Sequence, residues 1–248
     1  MTTVLKLGGS VVTDKDEPET VDRAALTDAA DAIAEANGDL VVVHGGGSFG
    51  HPSAAAHGVT DAAGTHDAAG IREIHDAMGE LNAAVVGALQ DRDVPALPVR
   101  PLSVAYRDDG GGTAFPSEPV ATMLAERFVP VAHGDVVAQR GAGATILSGD
   151  EIVTLLAERL DADRVGVCST VPGVLDGDGE VIDRIDDFEA VASALGESEA
   201  TDVTGGMAAK IRALLELETP ASVFGPAQLR TFLSGGRPGT LVARDSTP

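Results

Sequence analysis

The chain carries 39 acidic side chains against 17 basic ones, and only three of the basic residues are lysines: Lys6, Lys15 and Lys210. Each lies in or near a glycine-rich turn. Lys6 precedes Leu7-Gly8-Gly9-Ser10, Lys15 follows that turn, and Lys210 comes four residues after Gly205-Gly206. A lysine ammonium is a compact charge with rotatable donors, suited to phosphate oxygens whose charge shifts during transfer. Three such groups beside glycine turns suit one polyphosphate. A fourth feature is His44-Gly45-Gly46-Gly47-Ser48-Phe49-Gly50-His51. Its glycines would bare backbone N–H groups to an anion, with His51 placed to donate a hydrogen bond to whatever they hold. A fifth is Ser148-Gly149-Asp150, in which Ser148 or Asp150 would cap a helix.

Composition removes several classes. A net charge of −22 repels a phosphate backbone, and with no Trp, one Tyr and six Phe the base-stacking platforms of single-strand binders are scarce, so nucleic acid is not an expected partner. No apolar run approaches the roughly 20 residues that cross a bilayer, and the N-terminus lacks the basic-then-apolar layout of a signal peptide; no membrane association and a cytoplasmic location are expected. Cys168 is the only cysteine, which excludes an intrachain disulfide and a cysteine zinc cage. Acidic residues spread along the chain suit a cytosol rich in salt, where surface charge is screened.

These residues need elements to position them. Thr3 to Leu7 reads as a buried strand, with Gly8-Gly9-Ser10 as the turn after it. Leu26, Ala29, Ala30 and Ile33 recur at helical spacing between Asp22 and Ala36, and Leu40 to Val43 completes a β-α-β unit. Pro52 to Gly64 reads as irregular. A long helix is predicted from about Thr65 to Gln90, with Ile71, Ile74, Met78, Leu81, Val85 and Leu89 as its apolar stripe. Val94 to Val99 is a candidate strand, Arg107 to Gly112 a loop or hairpin tip, and Pro116 to Phe128 a helix. Val129 to Ala132 is a strand ending at His133-Gly134-Asp135, and Val136 to Leu147 a hairpin. Further expectations are a helix from Glu151 to Leu160, a strand from Arg164 to Cys168, a turn at Gly177-Asp178-Gly179 and a helix from Thr204-Gly205-Gly206-Met207 to Glu218. Strands at Ala221 to Phe224 and Thr240 to Ala243 flank a last helix, Pro226 to Leu233. Without repeats or a linker, residues 1–248 read as a single α/β domain with a parallel sheet covered on both faces.

Gly45-x-Gly47-x-x-Gly50 matches the dinucleotide fingerprint in form, but a long helix follows where that motif needs another strand ending in an acidic residue. No G-x-x-x-x-G-K-[ST] is present. Taken together, the turn from Lys6 to Ser10, the triple glycine, Ser148-Gly149-Asp150 and Thr204-Gly205-Gly206-Met207-Ala208-Ala209-Lys210 resemble the amino-acid kinase family over nearly the whole chain. The resemblance implies a three-layer αβα sandwich with a central, mainly parallel sheet, ATP and Mg²⁺ as cofactors, and a homodimer. Ser-Phe-Gly-His at the end of the glycine stretch, with Lys15 nine residues after Lys6, is similar to the branch whose acceptor is isopentenyl phosphate.

On that resemblance Lys6, Lys15, His51 and Asp150 are the catalytic set. Gly8, Gly9, Ser10, Gly47, Thr170, Gly173, Gly206 and Lys210 join Lys6 and Asp150 on ATP, and Gly46, Gly50 and Gly134 join His51 on the acceptor phosphate, with no protein metal ligand. Ala54 to Ala56 with Ile71, Ile74 and Met78 would wall the hydrocarbon. Where many members carry a T-D-V-D-G-V loop, this chain has Ser169-Thr170-Val171-Pro172-Gly173-Val174. A fosfomycin or phosphonate kinase, another member of the family, a non-catalytic nucleotide-binding regulatory protein and a dinucleotide oxidoreductase are the alternative readings.

Overall fold

The computed structural model describes residues 1–192 and 206–244. Its centre is an eight-stranded sheet in the order β10-β12-β11-β9-β1-β2-β6-β3. The strands are β1 (Thr2–Leu7), β2 (Asp39–His44), β3 (Ala96–Val99), β6 (Val129–His133), β9 (Arg164–Cys168), β10 (Arg184–Ile185), β11 (Ala221–Phe224) and β12 (Thr240–Val242). Pairing is parallel except between β11 and β12. In the central strands the side chains alternate between two cores. Val4, Val41 and Val43 join Ile152, Val153 and Ile211 on one face, whereas Leu5, Leu7 and Val42 join Leu26, Ile33, Leu81 and Phe232 on the other. A strand buried on both faces reads as a continuous apolar run, and that is how Val4-Leu5 and Leu40 to Val43 read.

The covering helices follow from their apolar stripes. On one face lie α2 (Arg23–Ala34), α4 (Ala68–Gln90) and α9 (Leu229–Leu233, after a short 3₁₀ turn at Pro226–Gln228); on the other, α7 (Gly149–Arg159) and α8 (Gly206–Glu216). Between them in the chain come α1 (Gly9–Val12), α3 (Gly47–Ala56), α5 (Pro101–Val104) and α6 (Glu118–Ala125). Side chains set three of the starts: Asp22 accepts from the Ala25 amide, Asp67 from Ala69 and Ser148 from Glu151. Of the two candidates for the α7 cap, it is Ser148, which leaves the Asp150 carboxylate for other work. A second sheet, β5-β4-β7-β8, is formed by β4 (Tyr106–Arg107), β5 (Thr113–Ala114), β7 (Asp135–Gln139) and β8 (Gly143–Leu147).

Some expectations need correction. The stretch from Pro52 is helical as far as Ala56, because α3 starts at Gly47 and passes through the proline. Pro52 has no N–H for the Ser48 carbonyl four residues earlier. That carbonyl instead accepts from the Glu19 amide at 3.0 Å, so the break in the ladder anchors the loop before α2. The Gly8-Gly9-Ser10 turn is itself the start of α1. Two-residue β10 was not anticipated, being too short to show a period. Thr204 and Gly205 lie outside the described residues. Among those described, no helix is long and apolar enough to cross a membrane.

Candidate active site

In an open α/β sheet ligands bind beyond the carboxyl ends of the strands, where the order of connection reverses. Here the chain moves from β1 to β2 on one side and returns as β9 on the other, so the reversal falls at β1. The turns after β1, β2, β6 and β9 converge there. The Gly8 amide donates to the Cys168 carbonyl at 2.8 Å, Gly45 to Leu7 at 3.0 Å and Gly134 to His44 at 3.1 Å.

This convergence places backbone on backbone. A Cβ on Gly9 would fall on the Gly47 amide, one on Gly45 would come within 2.7 Å of the Gly9 nitrogen, and one on Gly134 within 3.2 Å of the Gly149 nitrogen. Gly47 adopts φ +49°, a left-handed conformation that disfavours a side chain, and a Cβ would also meet the Thr13 hydroxyl. That hydroxyl accepts from the Ser48 amide at 3.1 Å, and the Ser48 hydroxyl donates to the Thr20 carbonyl at 3.3 Å. The loop bearing Lys15 is thereby tied to the start of α3.

Over this floor stands a charge cluster. The Lys6 ammonium, at the end of β1, lies 2.6 Å from the Asp150 carboxylate in the first turn of α7. Burial pushes the Asp150 carboxyl up, but the Lys6 charge, then Lys210 from α8, outweigh it and hold the group below the usual carboxylate range. Gly149 lets α7 approach: a Cβ there would contact the His44 carbonyl at 3.2 Å and the Lys6 side chain at 3.7 Å. Lys6 thus pairs directly with Asp150, while Lys210, far away in sequence, acts on the same carboxylate through its charge.

The other expected residues fall into two groups. Ser10 is exposed on α1, His51 exposed on α3, Lys15 exposed on the loop after α1, and Thr170 exposed beyond β9. Lys15 forms no ion pair among the described residues. Gly206, at φ +63°, opens α8 from a buried position. For four glycines the structure supplies a local reason for the missing side chain or a prior use of the amide. The Gly8 amide already donates to the Cys168 carbonyl. A Cβ on Gly50 would come within 2.6 Å of the Met78 sulfur, and Gly46 packs beside the same atom, so both let α4 close on α3. Gly173 is buried against Val181 and Thr240. Cys168 is buried and its thiol is pushed up to about 12 by that burial, which leaves it inert as a nucleophile.

Three side-chain groups escaped the sequence reading. His44 and His133 end neighbouring strands and are buried with rings stacked 5.4 Å apart. Asn82 of α4 lies against them, its amide 3.2 Å from His44 Nε2 and donating to the Val131 carbonyl at 3.2 Å. His75 Nδ1 lies 2.8 Å from Asp135, which also accepts from the Val136 and Leu102 amides. Arg107, buried, pairs with Glu151 and reaches Thr113, the Asp61 carbonyl and Thr145. The doubled sequence Val-His-Gly and Ala-His-Gly at the ends of β2 and β6 is a signal for the first; the other two carry none.

Two glycine turns interlock at the reversal point beneath the Lys6–Asp150 pair, an arrangement that suits an α/β enzyme acting on anions. The Amino acid kinase family profile matches residues 1–219, and the chain belongs to that family. Two relatives are both named isopentenyl phosphate kinase. That of Haloferax volcanii is 61% identical over 241 residues, covering 96% of this chain and 97% of its own, and that of Methanocaldococcus jannaschii is 37% identical, covering 85% of each. A solved isopentenyl phosphate kinase superposes with TM-score 0.81 at 28% identity over 98% of this chain and all of its own. Aspartate kinase from Synechocystis, at 18% identity and TM-score 0.70, shares the fold over 40% of its length.

Proposed function

We infer that this chain transfers the γ-phosphoryl group of ATP to isopentenyl phosphate, giving isopentenyl diphosphate and ADP, a step of isoprenoid biosynthesis. An oxygen of the acceptor phosphate forms the new bond to the γ-phosphorus, and the bond to the β-bridging oxygen breaks. The acceptor is already ionised, so no strong general base is needed, and the protein's task is to hold two anions together and stabilise the group in flight. The observation that carries this reading is the Lys6–Asp150 pair at the end of β1, with the Lys210 charge of α8 acting on the same carboxylate, in a chain 61% identical to an isopentenyl phosphate kinase.

In this reading Lys6 and Lys15 stabilise the moving phosphoryl group, Gly9 and Ser10 support it, and Lys210 holds the ATP phosphates with Gly47, Gly206, Thr170 and Gly173 along the nucleotide. Asp150 orients the ammonium groups. His51 binds the acceptor phosphate, with Gly46, Gly50 and Gly134 lining its path. A small apolar cluster of Val59, Ile74 and Val136, backed by Ala54, Ile71, Leu102 and Ile146, supports a hydrocarbon site beside α3. Among the described residues no three His, Cys, Asp or Glu side chains are grouped to hold a metal, and Asp150 is engaged by lysine. Mg²⁺ fits this site as a companion of the triphosphate, bound through phosphate oxygens and water, where it would neutralise charge. We also propose a cytoplasmic homodimer.

The test is an acceptor screen with ATP and Mg²⁺ in concentrated KCl. Isopentenyl phosphate should exceed fosfomycin in kcat/KM by about 100-fold or more, since a phosphonate of different shape leaves the apolar site unfilled. Equal or reversed preference would overturn the acceptor assignment.

A further inference from the structure

Beneath the turn after β2, a polar seam interrupts the apolar sheet. His44 and His133 are both fully buried, and burial lowers each imidazole to about 4, so both rings are neutral under ordinary conditions. A neutral imidazole has one N–H, and its position follows from the partners. His44 Nδ1 lies 3.1 Å from the Gly45 carbonyl and His133 Nδ1 2.9 Å from the Gly134 carbonyl. A carbonyl only accepts, so Nδ1 carries the proton in each ring. At His44 the assignment is checked independently. Asn82 Nδ2 donates to the Val131 carbonyl, which fixes that atom as the donor, and the same nitrogen faces His44 Nε2 at 3.2 Å, which must therefore be the bare acceptor. His133 Nε2 and Asn82 Oδ1 have no partner among the described residues, as expected of acceptors in a donor-poor pocket.

The consequence lies in the peptide that His44 grips. In a trans peptide the carbonyl and the following N–H point in opposite directions. Drawing the Gly45 carbonyl toward the buried ring turns the Gly46 N–H away from that ring. Glycine at 45 and 46 leaves that peptide free to rotate, so something must hold it. We propose that His44, fixed as its Nδ1–H tautomer, is a positioning residue that locks the Gly45–Gly46 peptide with its amide facing a reacting phosphate. The inference rests on the phosphotransfer reading above. His133 holds the neighbouring Gly134 corner in the same way, and the stacked pair keeps the two turns in register.

Two measurements test it. In long-range ¹H–¹⁵N spectra of the wild-type protein, His44 should show a protonated Nδ1 and a bare Nε2 from pH 6 to 8; a protonated Nε2 would overturn the proposal whatever the kinetics. Kinetically, Asn places an amide donor where Nδ1 stands, whereas Gln places one where Nε2 stands. H44Q should raise the KM for ATP or for isopentenyl phosphate by about tenfold or more, the scale of one lost hydrogen bond to a charged group, and H44N should restore most of that loss. Equal impairment in both variants, with equal melting temperatures, would mean that His44 merely fills space. If wild-type protein phosphorylates no isopentenyl phosphate, the functional reading fails by itself, and the tautomer still reports on the peptide lock.

Discussion

At the corner where β1 and β2 end, main chain rests on main chain, and a side chain on Gly9, Gly45 or Gly47 would strike the opposite turn. The second sheet is tied down differently. Arg107 of β4 reaches Glu151 of α7, Thr145 of β8 and the Asp61 carbonyl, while Asp135 of β7 gathers His75 of α4 and the Leu102 amide. The corner excludes volume; the sheet is pinned by charge. The buried histidines sharpen the contrast. Those under the corner are kept neutral by desolvation, whereas His75 is raised above its usual value, first by its hydrogen bond to Asp135. Neutral rings at the end of β2 and β6 add no second buried cation to repel the Lys6 ammonium.

The largest expected effect tests the pinning. Arg107→Leu removes the charge partner of the partly buried Glu151 carboxylate and the donor to the Asp61 carbonyl, and should cost about 2–4 kcal/mol in chemical denaturation. A loss under 1 kcal/mol would mean the second sheet does not depend on the pair.

Acid should act on the corner. A histidine that titrates near 6.5 unfolded and about 4 folded contributes its full stability above 6.5 and loses it as pH falls toward 4. Each of His44 and His133 accounts for at most about 3 kcal/mol of that fall. Melting temperature recorded from pH 8 to 4 should drop through this window, and a flat profile would remove both rings from the buried neutral state. His75 has the opposite sign. Its contribution is complete below 6.5 and disappears as pH rises through its raised pKa, so His75→Ala should narrow the stability gap to wild type on the alkaline side.

Gly47→Ala tests the exclusion of volume. At φ +49° and against Thr13, the added methyl should cost about 1–3 kcal/mol and weaken ATP binding, measured by calorimetry. Unchanged stability and affinity would show that the turns have room.

The same contrast explains what could be read from the chain. The corner was legible because its requirement, the absence of side chains, is written as Gly8-Gly9 and Gly45-Gly46-Gly47 directly after apolar runs, and because lysine is so rare that Lys6 and Lys210 stood out. The central strands and the long α4 stripe were legible for a related reason: burial imposes a period that composition preserves. The pins were not. Arg107 and Glu151 are 44 residues apart, each an ordinary charged residue in its own segment, and only the tertiary fold brings them together. Pro52 misled in the other direction, since a helix interrupted at one hydrogen bond has the local chemistry of a loop. His51 and Lys15 were singled out for their place beside the turns, and both are exposed.

The proposed function gives Lys6, poised on Asp150, the role of stabilising charge on the group in transfer. It is tested most directly by the single-turnover rate of isopentenyl diphosphate formation from ATP by Lys6→Met, at saturating substrates and with folding confirmed by circular dichroism. That rate should fall by about 100-fold or more, the scale of losing one group that stabilises transition-state charge. A folded variant that forms product at the wild-type rate would contradict it.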